Sequence, residues 1–421
     1  MTRSNLPVNQ QRLWADVMAL ADMTEADAPY TRRSFTPKFL QGRDFLRHRF
    51  DAAGLEVRID AGGNMIGRRT GQQAGCGTIL IGSHSDTVPD GGRFDGVAGV
   101  TAALEVARSL TERGEELSHD LEVIDFLAEE VSAFRTSCVG SRAMAGRLTP
   151  EMLDEEGPGG EKLRDALRRV GGDPASLPAA LRHDIAAFLE LHIEQGRVLE
   201  DAREDVGVVR TIAGISRMAL TVEGRADHAG TTPMSLREDA LSGAVEVIRA
   251  IRDEACVRAD GGNGYFVATT GELHLEPNAA NVVPRSVRLL IDARAERRDV
   301  LEDFLRWMKS TLPPLAAAQR ARLSSLDVLS DAMPAVLDPA VCDILVRSAD
   351  ALGLSHREMA SGAGHDAAWI SRFAPAAMIF IPCRGGRSHS ADEWTESNQL
   401  AAGAAVMLEA VLRIDRIRAS R

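Results

Sequence analysis

Several things are scarce in this sequence, and each scarcity removes a class of function. Positive charge is outweighed, 49 Lys and Arg against 61 Asp and Glu for a net charge of -12, so the basic face that a polyphosphate or an anionic bilayer requires is missing. Neither nucleic acid nor a membrane surface is an expected partner. Long apolar runs are missing too: no stretch reaches the ~20 residues that span a bilayer, and residues 2–12 are polar and charged where a secretory leader would be apolar. The five cysteines, Cys76, Cys138, Cys256, Cys342 and Cys383, are odd in number and contain no Cys-x-x-Cys pair. That usage fits reduced thiols rather than a disulfide framework, and a cytoplasmic location is expected. Internal repeats and low-complexity tracts are absent.

What is present is a long chain with two kinds of pattern. At 421 residues it exceeds what one hydrophobic core usually serves, so two domains are expected. The first ~214 residues alternate strand and helix patterns, with helices predicted over 12–23, 37–53 and 97–113, as in an α/β fold. The glycine-rich segment 149–181 reads as a surface excursion holding one short helix over 161–170. From residue 215 the order becomes strand (217–223), helix (235–254), two strands (265–275 and 286–294), helix (297–312) and strand (322–329). This β-α-β-β-α-β order is the split, ferredoxin-like unit. Patterns suited to the first domain resume near Asp338. Residues 215–331 are therefore expected to be an inserted α+β domain within a domain made of 1–214 and 332–421, and the two crossings could hinge.

The chemistry begins in Gly-Ser-His-Ser-Asp-Thr-Val-Pro-Asp-Gly-Gly-Arg-Phe-Asp-Gly, residues 82–96. The apolar run 77–81 before it reads as a buried parallel strand, so His84 and Asp86 fall at its carboxyl end, where open α/β sheets gather ligands. Asp95 follows two glycines and precedes the helix at Val97, so the loop can bring its carboxylate back to His84. Alone, this trio reads more readily as a hydrogen-bonded core imidazole with loop and capping acids. Recurrence argues for more. A strand at 121–127 ends in Glu129-Glu130, a strand at 188–191 ends at His192, and a strand at 378–381 runs through a glycine-containing loop to His389. Four strands each delivering His, Asp or Glu at the same end is how a multi-metal site is built from distant sequence. Asp86 suits a carboxylate that fixes the tautomer of a ligand imidazole. Imidazole and carboxylate donors suit Zn(II), Mn(II), Co(II) or Ni(II), and one aspartate can bridge two ions.

In this light the chain resembles the amidase, hydantoinase and carbamoylase family of metal-dependent amidohydrolases, relatives of the aminoacylase and carboxypeptidase-type dinuclear metallopeptidases. The matching segments run through nearly the whole length: Tyr30-Thr31-Arg32-Arg33-Ser34-Phe35-Thr36, Gly82 to Gly96, Glu129-Glu130 with Gly140-Ser141-Arg142, and Leu191-His192-Ile193-Glu194-Gln195-Gly196. Later come His228-Ala229-Gly230-Thr231-Thr232-Pro233-Met234, Pro277-Asn278-Ala279-Ala280-Asn281, Asp292-Ala293-Arg294, Gly362-Ala363-Gly364-His365-Asp366 and Ser388-His389. Ser85, Val131, Ala133 and Arg387 depart from the common wording of these segments without removing a ligand.

The resemblance implies a zinc-peptidase-like catalytic domain, a mixed and largely parallel sheet with helices on both faces, with the insert acting as lid and dimerisation domain. It implies two divalent ions, Zn(II) or Mn(II) foremost, one held by His84, Asp95 and His192 and the other by Asp95, Glu130 and His389. His192, where related peptidases usually carry a carboxylate, points to the carbamoylase side. Glu129 becomes the general base, and His228, reaching across a homodimer, stabilises the oxyanion. Arg217, Asn281 and Arg294 would hold the substrate's carboxylate and ureido group, guanidinium being suited to carboxylate. Gln195 is a candidate amide contact and His365 a candidate pocket residue with Asp366. The expected reaction is hydrolysis of N-carbamoyl-L-amino acids or related ureido acids to amino acid, ammonia and carbon dioxide. Allantoate, β-ureido acids and N-acyl amino acids are alternative substrates, and a binding protein that lost the chemistry is the contrasting reading. His48, His119, His183, His274 and His356 have no partner ligands nearby and read as structural or exposed. Trp394 reads as a pocket wall or a core residue.

Overall fold

A computed structural model describes residues 6–179, 181–262 and 264–418. Residues 2–5 of the polar opening segment and residue 180 of the surface excursion lie outside them. The chain divides into two units: the first runs to Arg210 and resumes at Val336–Met359 and Gly364, and the second comprises Thr211–Ala335 with Ala360–Ala363.

In chain order the first unit begins with helices α1 (Gln10–Ala21) and α2 (Pro37–Ala52), then strands β1 (Glu56–Ile59), β2 (Met65–Arg69) and β3 (Thr78–His84), helix α3 (Val97–Glu112) and strand β4 (Asp120–Phe126). Helices α4 (Val139–Met144) and α5 (Leu163–Arg169) precede strands β5 (Ile185–Ile193) and β6 (Val206–Ile212). The second unit holds β7 (Gly214–Glu223), α6 (Ala240–Asp260), β8 (Phe266–Glu276), β9 (Ser286–Ala295), α7 (Arg298–Ala318) and β10 (Arg322–Ala332). After it come β11 (Ala335–Val336), α8 (Pro339–Ala351), β12 (His356–Ser361), β13 (Ala376–Ile381) and α9 (Ser397–Arg418). Helix starts follow local chemistry. Thr36 and Asp338 each accept a main-chain N–H from three residues on, and Pro37 and Pro339 occupy the first turns they open, where a missing N–H costs nothing.

The large sheet has the order β1-β2-β4-β3-β5-β13-β6-β11, with β12 also beside β6. Its centre, β4, β3, β5 and β13, is parallel, and the flanking pairs β1–β2, β2–β4 and β13–β6 are antiparallel. This is the mixed, largely parallel sheet of the α/β expectation. Strands β3 and β13 are buried at every residue, as a parallel strand covered on both faces must be. Helices α3, α8 and α9 are among those packed on this centre.

The second unit is a four-stranded antiparallel sheet in the order β10-β7-β9-β8. Alternate residues Met218, Leu220 and Val222 of β7 and Val287, Leu289, Ile291 and Ala293 of β9 form one core with Val247 and Ile251 of α6 and Phe304 and Met308 of α7. Both helices therefore lie on one face of the sheet. Helix α6 starts five residues later than the sequence suggested, because Asp239 takes the amides of Leu241 and Ser242 and Met234–Leu236 forms its own turn. Helix α7 runs past residue 312 through Pro313 and Pro314. Leu312 and Ala316 are both buried on its core face, and that packing outweighs the helix-breaking tendency of proline.

Candidate metal centre

Four neighbouring parallel strands aim their carboxyl ends at one place, yet the outer two lie about 14 Å apart at ordinary strand spacing. Side chains from all four can meet only if loops carry some of them inward. His84 is the last residue of β3 and His192 the penultimate residue of β5. Glu129 and Glu130 follow β4 after a turn at Ala128, and His389 comes at the end of the loop that follows β13. Asp95 sits on the loop between β3 and α3, where Gly96 has φ 65° and a Cβ would lie 2.4 Å from the His84 ring. Only glycine lets that loop close so tightly on the imidazole.

The closure brings two donor groups together, His84 with Asp95 and His192, and Asp95 with Glu130 and His389; within each group the donor atoms lie within 4.8 Å of one another. Asp95 belongs to both and divides its oxygens. Its Oδ1 is 3.0 Å from His192 Nε2 and 3.8 Å from His84 Nε2, while its Oδ2 is 3.0 Å from His389 Nε2, which is itself 3.2 Å from Glu130 Oε1. Two histidines also have their outer nitrogens engaged. His84 Nδ1 lies 3.1 Å from the Asp86 carbonyl oxygen and His192 Nδ1 2.8 Å from the Ile193 carbonyl oxygen. A carbonyl can only accept, so Nδ1 carries the proton and Nε2 faces inward with a lone pair, the arrangement typical of metal-binding imidazoles. The residues present thus fit divalent ions in donor type, tautomer and spacing. Asp86 contributes through its carbonyl more closely than through its carboxylate, whose Oδ1 is 3.5 Å from His84 and accepts the Glu129 amide at 3.3 Å.

The electrostatics show a cluster that strongly favours positive charge at its centre. Burial alone would neutralise the imidazoles, but hydrogen bonding to Asp86 and the charges of Glu129, Asp86 and Asp95 lift His84 well above the usual histidine range. His389, bonded to Asp95 and Glu130, is raised to about 10. Glu129 is pushed well above the ordinary carboxylate range, first by burial and then by the neighbouring charges of Glu130, Asp366 and Asp86. Burial likewise raises Glu130, with Asp95 adding to it. Asp95 moves in the opposite direction; although burial disfavours its charge, His192 and His389 hold it well below that range. So many carboxylates in so little water call for positive charge.

Glu129 stands beside the donors without completing either group. Its Oε2 is 3.8 Å from His84 Nε2, and its Oε1 lies 3.4 Å from the Cys138 thiol. Gln195 donates to Asp95 Oδ2 at 3.3 Å and to Ser388 Oγ at 3.0 Å. The His365 ring packs edge-on to His192 with centroids 4.6 Å apart, and burial followed by the charge on His192 depresses its pKa well below the usual value. Asp366 bonds Ser141 at 2.5 Å. Ala128, Cys138, Gln195 and His389 all have left-handed backbones, with φ 52°, 52°, 57° and 52°, a conformation uncommon for residues with a side chain.

Sequence reasoning missed Cys138, Glu190 and Glu393. Glu190, buried, accepts from Ser83 and from the Ala367 amide; Glu393, also buried, accepts from the amides of Phe94 and Asp95 and is raised to about 7 by burial and by Asp95. The one available signal was a carboxylate four residues after His389, which resembles any surface loop acid. Trp394 packs edge-on against Trp14 and Phe94, with centroids 5.4 and 5.6 Å away, so it serves an aromatic cluster. His119 is buried against Asp415 at 2.8 Å, whereas His274 is exposed.

The remaining sequence candidates lie in the second unit, at two ends of its sheet. Arg217 and Arg294 share Asp292, with contacts of 3.0 and 2.7 Å, and Arg294 also donates to the Gly362 carbonyl at 2.7 Å. His228 pairs with Val282 in an isolated bridge, and the Ala229 amide donates to the Asn281 carbonyl at 3.0 Å. His228 and Asn281 therefore sit together, beyond the Glu223 end of β7. Arg217 is six residues back along that strand, about 20 Å at ordinary strand rise. His228 Nδ1 accepts from the amides of Gly230 and Thr231 at 3.1 and 3.2 Å. Its proton is consequently on the exposed Nε2.

The model of peptidase family M20/M25/M40 matches residues 80–413. An N-carbamoyl-L-amino-acid amidohydrolase of Paenarthrobacter aurescens is 37% identical over 412 residues, 96% of this chain and 98% of that protein. An allantoate amidohydrolase of Bacillus subtilis is 35% identical over 390 residues, 92% of this chain and 93% of that protein. Among solved structures, an amidase of the hydantoinase/carbamoylase family from Burkholderia multivorans superposes with a TM-score of 0.89 at 33% identity, covering 97% of this chain and 98% of that one. Among the described residues, no helix is long and apolar enough to cross a membrane.

Proposed function

The chain belongs to peptidase family M20/M25/M40, and from that membership together with the donor geometry we propose that it is a two-metal hydrolase of N-carbamoyl-L-amino acids or related ureido acids. It cleaves the C–N bond of the ureido group and releases amino acid, ammonia and carbon dioxide. The observation that carries this reading is the pair of donor groups sharing Asp95, with the Glu129 carboxylate beside them and outside both.

His84, Asp95 and His192 would hold one divalent ion and Asp95, Glu130 and His389 the other, with Zn(II) or Mn(II) foremost and Co(II) or Ni(II) as further options. When bound, such ions acidify water and polarise the carbonyl that is attacked. Glu129 takes the proton of the attacking water and hands it to the departing nitrogen, and burial makes its carboxylate more basic. Asp86 and the Ile193 carbonyl keep the proton of their histidines on Nδ1. Gln195 and His365 border the substrate, and a guanidinium from Arg217 or Arg294 pairs with its carboxylate.

His228 supplies a hydrogen bond to the developing oxyanion from Nε2. It and Asn281 lie at one end of the sheet and the arginines at the other, so one chain's insert cannot offer all of them to one small substrate. That separation supports a homodimer in which His228 and Asn281 come from the partner subunit. Mixing inactive His228→Ala chains with inactive Glu129→Gln chains should then restore part of the activity, because one of the two sites in a mixed dimer is intact. Verified mixed dimers with no activity would refute the shared site.

The five free cysteines support a reducing compartment, so the cytoplasm is the proposed location. The substrate class is tested by a turnover screen of the Mn(II)-loaded protein against N-carbamoyl-L-amino acids, allantoate, β-ureido acids and N-acyl amino acids. A carbamoyl amino acid should give the highest kcat/KM. Preference for acyl amino acids would reject the ureido reading, and no turnover of any class by metal-loaded dimer would favour a binding protein.

A further inference from the structure

We propose that Glu393 is a positioning residue that clamps the two loops presenting Asp95 and His389, and so sets the affinity of the centre for its metal ions. Its side chain is wholly buried. Oε1 accepts from the Phe94 amide at 2.7 Å and the Asp95 amide at 3.0 Å, and Oε2 accepts from Ser388 Oγ at 2.8 Å. One carboxylate therefore reaches the main chain of the shared ligand on one side and the neighbour of His389 on the other. Its oxygens are spent on these donors, and it belongs to neither donor group. It acts on the ions through other residues.

The loop is shaped around it. A Cβ at Gly92 would lie 2.0 Å from the Glu393 carboxyl carbon, so this turn accepts no side chain while the carboxylate is in place. Ser388 Oγ also receives the Gln195 amide and lies 3.5 Å from Asp95 Oδ2, so the clamp meets the shared aspartate at both its amide and its carboxylate. Removing Glu393 would leave two buried amides without their acceptor and the Ser388 hydroxyl with only its longer contact to Asp95, and each buried amide so orphaned costs enough to shift a loop. Partners that orient metal ligands typically change metal affinity about 10- to 100-fold when deleted.

This inference rests on the two-metal reading, and the experiment separates the two. Metal-free wild type, Glu393→Ala, Glu393→Gln and Ser388→Ala are titrated with Mn(II) or Zn(II) alone by calorimetry, and the melting temperature of each metal-free protein is recorded. Glu393→Ala should bind about 10- to 100-fold more weakly. Glu393→Gln keeps the shape and an acceptor for the two amides and should recover most of that loss. Ser388→Ala, which keeps the amide bonds and loses the link to the His389 loop, should fall between them. A folded Glu393→Ala with wild-type affinity overturns the clamp, even if its metal-free melting temperature drops. If Glu393→Ala does not fold, wild-type affinity in both other variants overturns it. Wild type that binds neither metal would instead sink the two-metal reading itself.

Discussion

Glu129→Gln should retain its metal and hydrolyse substrate about 10²- to 10⁴-fold more slowly, the usual contribution of a positioned acid–base group. The substitution exchanges one oxygen for an amide nitrogen, so the packing beside Cys138 and the main-chain bond to Asp86 have no reason to change. What disappears is the lone pair that accepts a proton. Both donor groups exclude Glu129, so metal content by elemental analysis should match wild type. KM should change far less than kcat, because the lost interaction belongs to the transition state. A variant with near-normal kcat would transfer the base role elsewhere, and one that lost its metal would make Glu129 a ligand.

Stripping the protein with a chelator should abolish turnover altogether, and adding back Mn(II), Zn(II), Co(II) or Ni(II) should restore it. His84, Asp95, Glu130, His192 and His389 can gather an electrophile, but none of them is one. The same titration carries a second readout that needs no substrate. An ion present at 100 times its dissociation constant stabilises the folded state by about 2.7 kcal/mol, which thermal melting resolves as a clear upward shift. Activity that persists after verified removal of all divalent ions would end the metal reading. Restoration by Mg(II) alone would also count against it, because a nitrogen-containing donor set is poorly matched to that ion.

How much of this was readable from residues alone depended on distance along the chain. His84 and His192 lie on strands whose apolar runs announce themselves, so the fold's central strands and their carboxyl ends were legible, as was the strand and helix order of the second unit. Asp95 was legible because glycines flag its loop. Glu393 was not, since nothing local distinguishes it from an exposed loop acid; it becomes a clamp only when Phe94 and Asp95, 299 and 298 positions away in sequence, close around it. The start of α6 was misjudged because Asp239 caps more strongly than the apolar pattern before it suggested, and the end of α7 because tertiary burial of Leu312 and Ala316 overrode two prolines. The tautomers of His84, His192 and His228 depend on which main-chain groups fold against Nδ1, which no spacing rule encodes.

The left-handed backbones at Ala128, Cys138, Gln195 and His389 bear on any attempt to redesign this catalyst. Each conformation costs on the order of 1–3 kcal/mol for a residue with a side chain, and a β-branched replacement would add further steric conflict. Libraries seeking a different substrate range should leave those four codons alone and randomise exposed chain neighbours of the donors such as Val131, next to Glu130, and Arg387, two residues before His389, whose side chains can be exchanged without twisting the main chain that carries the chemistry.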